Sequence, residues 1–211
     1  MASSKRKKTP RAKAKSKKRT AKNAAAKRGT KAIDFDHEPL AYAASLIRAI
    51  PNFPQPGILF RDITPLLADA KAFHCVIDAF TERLLDKQIQ AVVAIESRGF
   101  IFGAALAARL NTSFVPVRKP GKLPAAKDSI AYSLEYGTAE LQIHKGALAP
   151  AARVLIIDDL LATGGTAAAA AQLVRRQGAT LVAFAFVIEL LALAGRKVLH
   201  PAPILSLVQY E

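Results

Sequence analysis

Cysteine is nearly absent, with Cys75 alone among 211 residues. One thiol excludes a disulfide framework. The four histidines, His37, His74, His144 and His200, are scattered and form no CxxC or HExxH spacing, so structural zinc and an oxidising compartment are not expected. No run of roughly 18 residues is apolar and uncharged, and no apolar segment with a small-residue cleavage site follows the basic N-terminus. Neither a membrane span nor a secretory signal is expected, and a cytoplasmic protein is the default. Acidic residues are missing from positions 1–31, which hold fourteen of the 31 Lys+Arg. The net charge of +15 therefore belongs to a tail, since residues 32–211 are close to neutral.

From Ser4 to Lys31 that tail also lacks Leu, Val, Ile and Phe, so it has nothing to bury against the entropy of ordering and should be disordered. It reads as a solvated extension, or as the product of a start site set upstream of the domain. The functional alternative is loose electrostatic contact with nucleic acid or another anionic surface. A transit peptide fits poorly, because the segment is Lys-rich and has no apolar face.

The remaining stretch, in a chain that is 51% apolar, suffices for one core, and a single domain over 32–211 is expected. Leu40, Ala43, Ala44, Ile47 and Ile50 share a helical face, which predicts a helix over 40–50 that stops at Pro51. Phe73, Val76, Ile77, Phe80 and Leu84 predict a second helix over 70–87, with His74 and Cys75 as surface or packing residues. Ala91–Ile95, Phe114–Val117, Arg153–Ile157 and Leu181–Ile188 are short apolar runs, alternating with helix candidates at Gly99–Leu110 and Thr166–Gln177. That order predicts an α/β domain with a mostly parallel sheet, whose functional groups collect beyond the carboxyl ends of the strands. The polar stretch Arg118–His144 predicts a hairpin with its bend near Gly137, and an insertion of this length inside a domain suits a functional loop.

The most informative segment runs from Val154 to Thr166. A buried strand ends in Asp158-Asp159 and turns through Thr163-Gly164-Gly165-Thr166 into an Ala-rich helix. Glycines let backbone N–H groups approach an anion, threonine hydroxyls add donors, and the helix N-terminus favours negative charge. This is a phosphate cradle without the lysine of a nucleotide-hydrolysing P-loop. Adjacent carboxylates would repel a second phosphate but can accept from the vicinal hydroxyls of a ribose.

As one ordered unit, the segment resembles the phosphoribosyl pyrophosphate motif of the type I phosphoribosyltransferases. Phe53–Thr64, Glu96–Gly103, Val117–Pro124 and Tyr132–Gly137 narrow the resemblance to the adenine phosphoribosyltransferase family, from about residue 40 to the closing strand Ile204–Glu211. The tail is the main departure. The resemblance implies the type I fold, with a parallel sheet, a small hood and a flexible loop, and it implies transfer of phosphoribose to adenine with release of pyrophosphate, giving AMP in purine salvage. It assigns Asp158 and Asp159 to the ribose and Ala162, Thr163, Gly164, Gly165 and Thr166 to the 5′-phosphate. Arg98, Gly99, Arg118, Lys119 and Lys122 fall to pyrophosphate. Leu59 and Arg61, through their backbones, Phe60 by stacking and Leu190 from the other face fall to adenine. Glu135 matches the catalytic glutamate. Mg²⁺ is implied, held mainly by substrate with no protein cage, as is a homodimer in which the arginine segment reaches the partner's site. Two alternatives stay open: transfer to hypoxanthine, guanine or xanthine, and a ligand-sensing regulator that binds nucleic acid. A tail without Leu, Val or Ile cannot build the folded recognition module such a regulator needs.

Overall fold

The computed structural model describes Met1 and residues 39–133 and 137–211; residues 2–38, with the tail, and residues 134–136, with Glu135, lie outside the described residues. Five strands form the central sheet: β3 (Ala91–Ile95), β4 (Ser113–Val117), β7 (Arg153–Leu161), β8 (Thr180–Leu190) and β9 (Ile204–Tyr210). Their order is β4-β3-β7-β8-β9 and every pairing is parallel, from Ala91↔Ser113 and Ala91↔Val154 to Phe184↔Ile204. Side chains alternate across this sheet as a period of two requires. Val93, Ile95, Val154, Ile156, Phe184 and Phe186 face one layer, while Val92, Ala94, Leu155, Ile157, Ala183 and Ala185 face the other.

The first layer is made by α5 (Gly165–Arg176) and an antiparallel hairpin, β5 (Lys127–Ser133) with β6 (Thr138–His144). Ala167, Ala169, Ala170 and Ala171 of α5 are buried, and their small side chains let the helix lie close to the strands. The second layer holds α1 (Pro39–Ser45), α3 (Ala70–Leu84) and α4 (Gly99–Arg109), with Phe80, Phe102, Leu66 and Leu106 fully buried between them and the sheet. Asp69 caps α3 by accepting from Ala72 N at 2.8 Å. Cys75 is buried in this layer, and burial pushes its thiol pKa up, which makes it a packing group.

The 40–50 helix is shorter than its periodicity predicts. It stops at Ser45, and β1 (Arg48–Pro51) pairs antiparallel with β2 (Leu59–Asp62). Two causes act together. Pro51 pushes Ile50 away from helical dihedrals, and the Arg48 guanidinium meets Asp62 across the pair at 2.6 Å. Asp62 also accepts from Thr64 N and Thr64 Oγ1, at 2.9 and 2.6 Å, which turns the chain into the short helix α2 (Thr64–Ala68). The other predicted elements fall within a few residues of their places, and β7 runs past Ile157 to Leu161, so both acids are strand residues. Gly137 takes φ +97° at the bend of the predicted hairpin.

Candidate active site

The carboxyl end of β7 carries the site. Asp158 is half-buried, Asp159 is buried, and the strand continues into a turn over Ala162–Gly164 from which α5 starts. A cleft of about 190 Å³ runs along this junction, lined by Arg98, the Asp158–Ala167 segment and Phe186. A larger hollow of about 660 Å³ lies on the far side of the turn, against Glu189, Leu191, Arg196 and His200. Two of its polar groups, Glu189 and Arg196, already satisfy each other, which leaves the smaller cleft as the candidate site.

Gly164 adopts φ +86° and its carbonyl accepts the first helical bond, from Ala168 N at 2.9 Å. No side chain caps α5, so the N–H groups of its first turn have no such acceptor and the positive end of the helix dipole faces the cleft. The turn is braced from behind by Gly195, the first residue of α6 (Gly195–Leu199). A Cβ on Gly164 would stand 2.7 Å from Gly195 O, and one on Gly195 would stand 2.2 Å from Ala162 O. The two glycines thus interlock backbone to backbone. Gly195 was invisible as a site residue in the sequence, because its reason is a contact between segments about thirty positions apart.

Burial, and then the charge of Asp159, pushes the Asp158 carboxyl well above its ordinary range; burial also raises Asp159, with Arg98 opposing. Arg98 Nε lies 2.8 Å from Asp159 Oδ2, yet no donor is aligned on that oxygen, so the contact is an ion pair without a well-formed hydrogen bond. Asp158 Oδ1 accepts from Asp159 N at 2.9 Å. Two carboxylates held out of water beside one arginine are primed to take hydroxyl donors or a growing positive charge.

Gly99 opens α4 against this pair. Its Cβ would stand 2.9 Å from both Asp158 Oδ1 and Ile157 O, so the glycine is required by the close approach of α4 to β7. Arg98 also spans toward the β1–β2 hairpin, its guanidinium carbon 5.6 Å from the centre of the Phe60 ring. Phe60 meets Phe53 edge to face at 5.1 Å, Leu59 is exposed, and the Arg61 guanidinium stacks on the Tyr210 ring at 3.6 Å. Leu190, half-buried, closes β8. Arg98, Gly99, Asp158, Asp159 and the 162–166 turn are therefore brought together, with Phe60 at their edge.

Arg118 is occupied within its own chain. Its Nε and Nη2 reach Glu96 Oε2 and Oε1 at 3.3 and 3.2 Å, Nη1 donates to Lys122 O at 3.1 Å, and Lys119 N donates to Glu96 at 3.0 Å. The Arg118 bond in turn lowers the Glu96 pKa. Lys119 and Lys122 are exposed. Glu96 was not singled out by its sequence position, although an acid directly after a buried strand could have been.

A parallel sheet that ends in a carboxylate pair, followed by an uncapped glycine turn, is the arrangement of a phosphoribosyl transferase, and the phosphoribosyl transferase domain profile matches residues 66–203. The chain belongs to the adenine phosphoribosyltransferase family of that class. It is 56% identical over 192 residues to the adenine phosphoribosyltransferase of Sorangium cellulosum, covering 86% of this chain and 96% of that one. The crystal structure of adenine phosphoribosyltransferase from Thermoanaerobacter pseudethanolicus superposes with a TM-score of 0.79 at 50% identity, covering 81% of this chain and 99% of that one. The Saccharomyces cerevisiae enzyme, solved with an imino-altritol bisphosphate and adenine, superposes with a TM-score of 0.77 at 42% identity, covering 80% and 98%.

Proposed function

We infer that this chain transfers the 5-phosphoribosyl group from phosphoribosyl pyrophosphate to adenine, giving AMP and pyrophosphate in purine salvage. The observation that carries the reading is the single unit from β7 to α5, in which a desolvated carboxylate pair stands directly before an uncapped turn. The 5′-phosphate would sit on the Ala162–Thr166 turn, accepting from backbone N–H groups and the threonine hydroxyls. Asp158 and Asp159 would accept from the two ribose hydroxyls.

In the reaction, adenine N9 forms a bond to the anomeric carbon while the bond to pyrophosphate breaks, the electron pair leaves with pyrophosphate, and N9 gives up its proton. Positive charge grows on the ribose in between, and the two carboxylates would favour it. Arg98, with the N-terminal turn of α4 at Gly99, would hold the pyrophosphate, and Lys119 and Lys122 would add positive charge. Arg118 would do so only on leaving Glu96. Leu59, Phe60, Arg61 and Leu190 would enclose adenine. Glu135 would share a proton with adenine N7 as N9 attacks.

Mg²⁺ fits this donor set through the substrate. Among the described residues no group of three or more His, Cys, Asp or Glu converges, so the oxygens of Asp158 and Asp159 could only supplement those of pyrophosphate, ribose and water. The chemistry Mg²⁺ would supply there is charge neutralisation of the departing pyrophosphate. A homodimer in the cytoplasm belongs to the same reading; exposed Ile101 and Phe114 offer apolar surface for a second copy, and no described helix could cross a membrane. Residues 1–31 would form an appendage to the 32–211 domain, and a salt titration of full-length and tail-deleted protein on DNA tests it for nucleic-acid contact. Tail-driven binding fades steeply with salt.

A competition assay tests the activity: adenine against hypoxanthine, guanine and xanthine, with phosphoribosyl pyrophosphate and Mg²⁺. AMP should be the dominant product. Preferential turnover of an oxopurine would reassign the base, and no turnover of any base would return the regulator.

A further inference from the structure

The β5–β6 hairpin touches the phosphate turn through one hydroxyl pair. Thr166 Oγ1 and Tyr132 Oη share a hydrogen bond at 3.2 Å, in partly buried surroundings. Tyr132 pairs with Ala139 near the end of β5, and its ring packs against the core layer formed with α5. The hairpin is fastened to the far end of the same helix as well. Arg176 Nη1 donates to Ser129 O at 2.8 Å, and Gln177 Nε2 donates to His144 O at 2.7 Å and to Asp128 Oδ2 at 3.3 Å. Those ties lie about three turns of helix away from the site. Tyr132 supplies the tie that falls on the turn itself.

We propose that Tyr132 is a positioning residue of the 5′-phosphate site, its hydroxyl orienting Thr166 and coupling occupancy of the turn to the seat of β5. This rests on the role proposed above for Ala162–Thr166. A threonine hydroxyl and a tyrosine hydroxyl each carry one proton and can also accept. At 3.2 Å either hydroxyl can serve as the donor of the pair before phosphate binds. A phosphate dianion is the stronger acceptor, so on binding it takes the Thr166 proton as its donor, and Tyr132 O–H then donates to a lone pair of Thr166. The resulting chain, from Tyr132 through Thr166 to phosphate, leaves both hydroxyls satisfied and polarises each bond through the next. It needs only rotation of two hydroxyl hydrogens. Without the tyrosine hydroxyl, Thr166 loses the partner that selects its orientation, and β5 loses a tie three residues before Glu135.

The test is calorimetric titration of Tyr132→Phe, which keeps the packed ring, with ribose 5-phosphate, AMP and adenine. The two phosphate-bearing ligands should bind about 3- to 10-fold more weakly, as expected for one neutral hydrogen bond, and adenine should stay within about twofold. A merely structural role would weaken all three alike. In a Thr166→Ala background the same substitution should cost nothing further, because the coupled partner is gone. Unchanged ribose 5-phosphate affinity in Tyr132→Phe, equal weakening of adenine, or additive losses in the double variant would overturn the proposal. The functional reading fails separately: a wild-type protein that does not turn adenine over, yet whose ribose 5-phosphate affinity still responds to Tyr132, would remove that reading and leave this coupling standing.

Discussion

Substituting Gly195 by alanine tests how the phosphate turn is held. The added Cβ would stand 2.2 Å from Ala162 O, 2.9 Å from Leu161 Cδ1 and 3.1 Å from Ala162 C. Carbon rarely comes closer to a carbonyl oxygen than about 3.3 Å, so one backbone must retreat from the other by roughly 1 Å. Neither obstacle at Ala162 is the far end of a flexible side chain. Overpacking of this kind costs about 1–3 kcal/mol, which in a domain of this size lowers Tm by roughly 2–12 °C. The catalytic effect should be larger. Ala162 opens the turn, and a displacement of about 1 Å in a group that positions substrate can cost on the order of 100-fold in rate. Initial rates at saturating adenine with varied phosphoribosyl pyrophosphate should therefore show kcat/KM reduced about 100-fold in a variant that still melts cooperatively. The KM for adenine should change little, since its proposed contacts lie on β2 and at the end of β8. A folded Gly195→Ala protein within about threefold of wild type toward phosphoribosyl pyrophosphate would refute the interlock as the device that shapes the turn.

Arg196→Ala should destabilise by about 1–3 kcal/mol, because Glu189, only 2% exposed, would lose its charge-assisted bonds and keep Ser206 and Gln209 as remaining donors; thermal or denaturant unfolding measures this. Arg196 holds the Glu189 pKa down to about 2, and the Thr64 hydroxyl does the same for Asp62, so both stabilise above the ordinary carboxylate range and lose that contribution as pH falls from about 4.5 toward 2. The acid limb of the Arg196→Ala stability curve should be flatter than that of wild type. The raised Asp158 and Asp159 act in the opposite sense: their stabilisation is greatest when protonated and is lost as pH rises. At neutral pH, Asp158→Asn/Asp159→Asn should then melt at or above the wild-type temperature, and a large fall in Tm would contradict the desolvation argument. Glu135→Gln should lower kcat by about 100-fold or more with affinity for phosphoribosyl pyrophosphate nearly unchanged, as steady-state kinetics with direct titration would show.

What the sequence made legible was local. Four of the five sheet strands, α3, α4 and α5 announced themselves through apolar runs and helical periodicity, the closing strand came only with the family resemblance, and the Val154–Thr166 unit could be interpreted because its groups are consecutive. The β1–β2 pair was obscured, because Ile47 and Ile50 continue the spacing of the preceding helix and only the cross-strand meeting of Arg48 with Asp62 reveals the strand. The same holds for the residues that support the site. Gly195 under Gly164, Tyr132 on Thr166, Tyr210 on Arg61 and Glu96 on Arg118 are contacts between distant segments, and no local pattern distinguishes them from ordinary loop or strand residues. Arg118 illustrates the point: the resemblance assigns it to pyrophosphate, and only the structure shows that its guanidinium also pairs with Glu96 within the chain.

The central claim is that the carboxylate pair on β7 holds the ribose and favours its transient charge. The most direct test is kcat/KM for phosphoribosyl pyrophosphate in the Asp158→Asn/Asp159→Asn double variant, measured as AMP formation at saturating adenine. The account predicts a loss of about 100-fold or more, in line with removal of placed electrostatic groups from an active site. Activity within tenfold of wild type would contradict it.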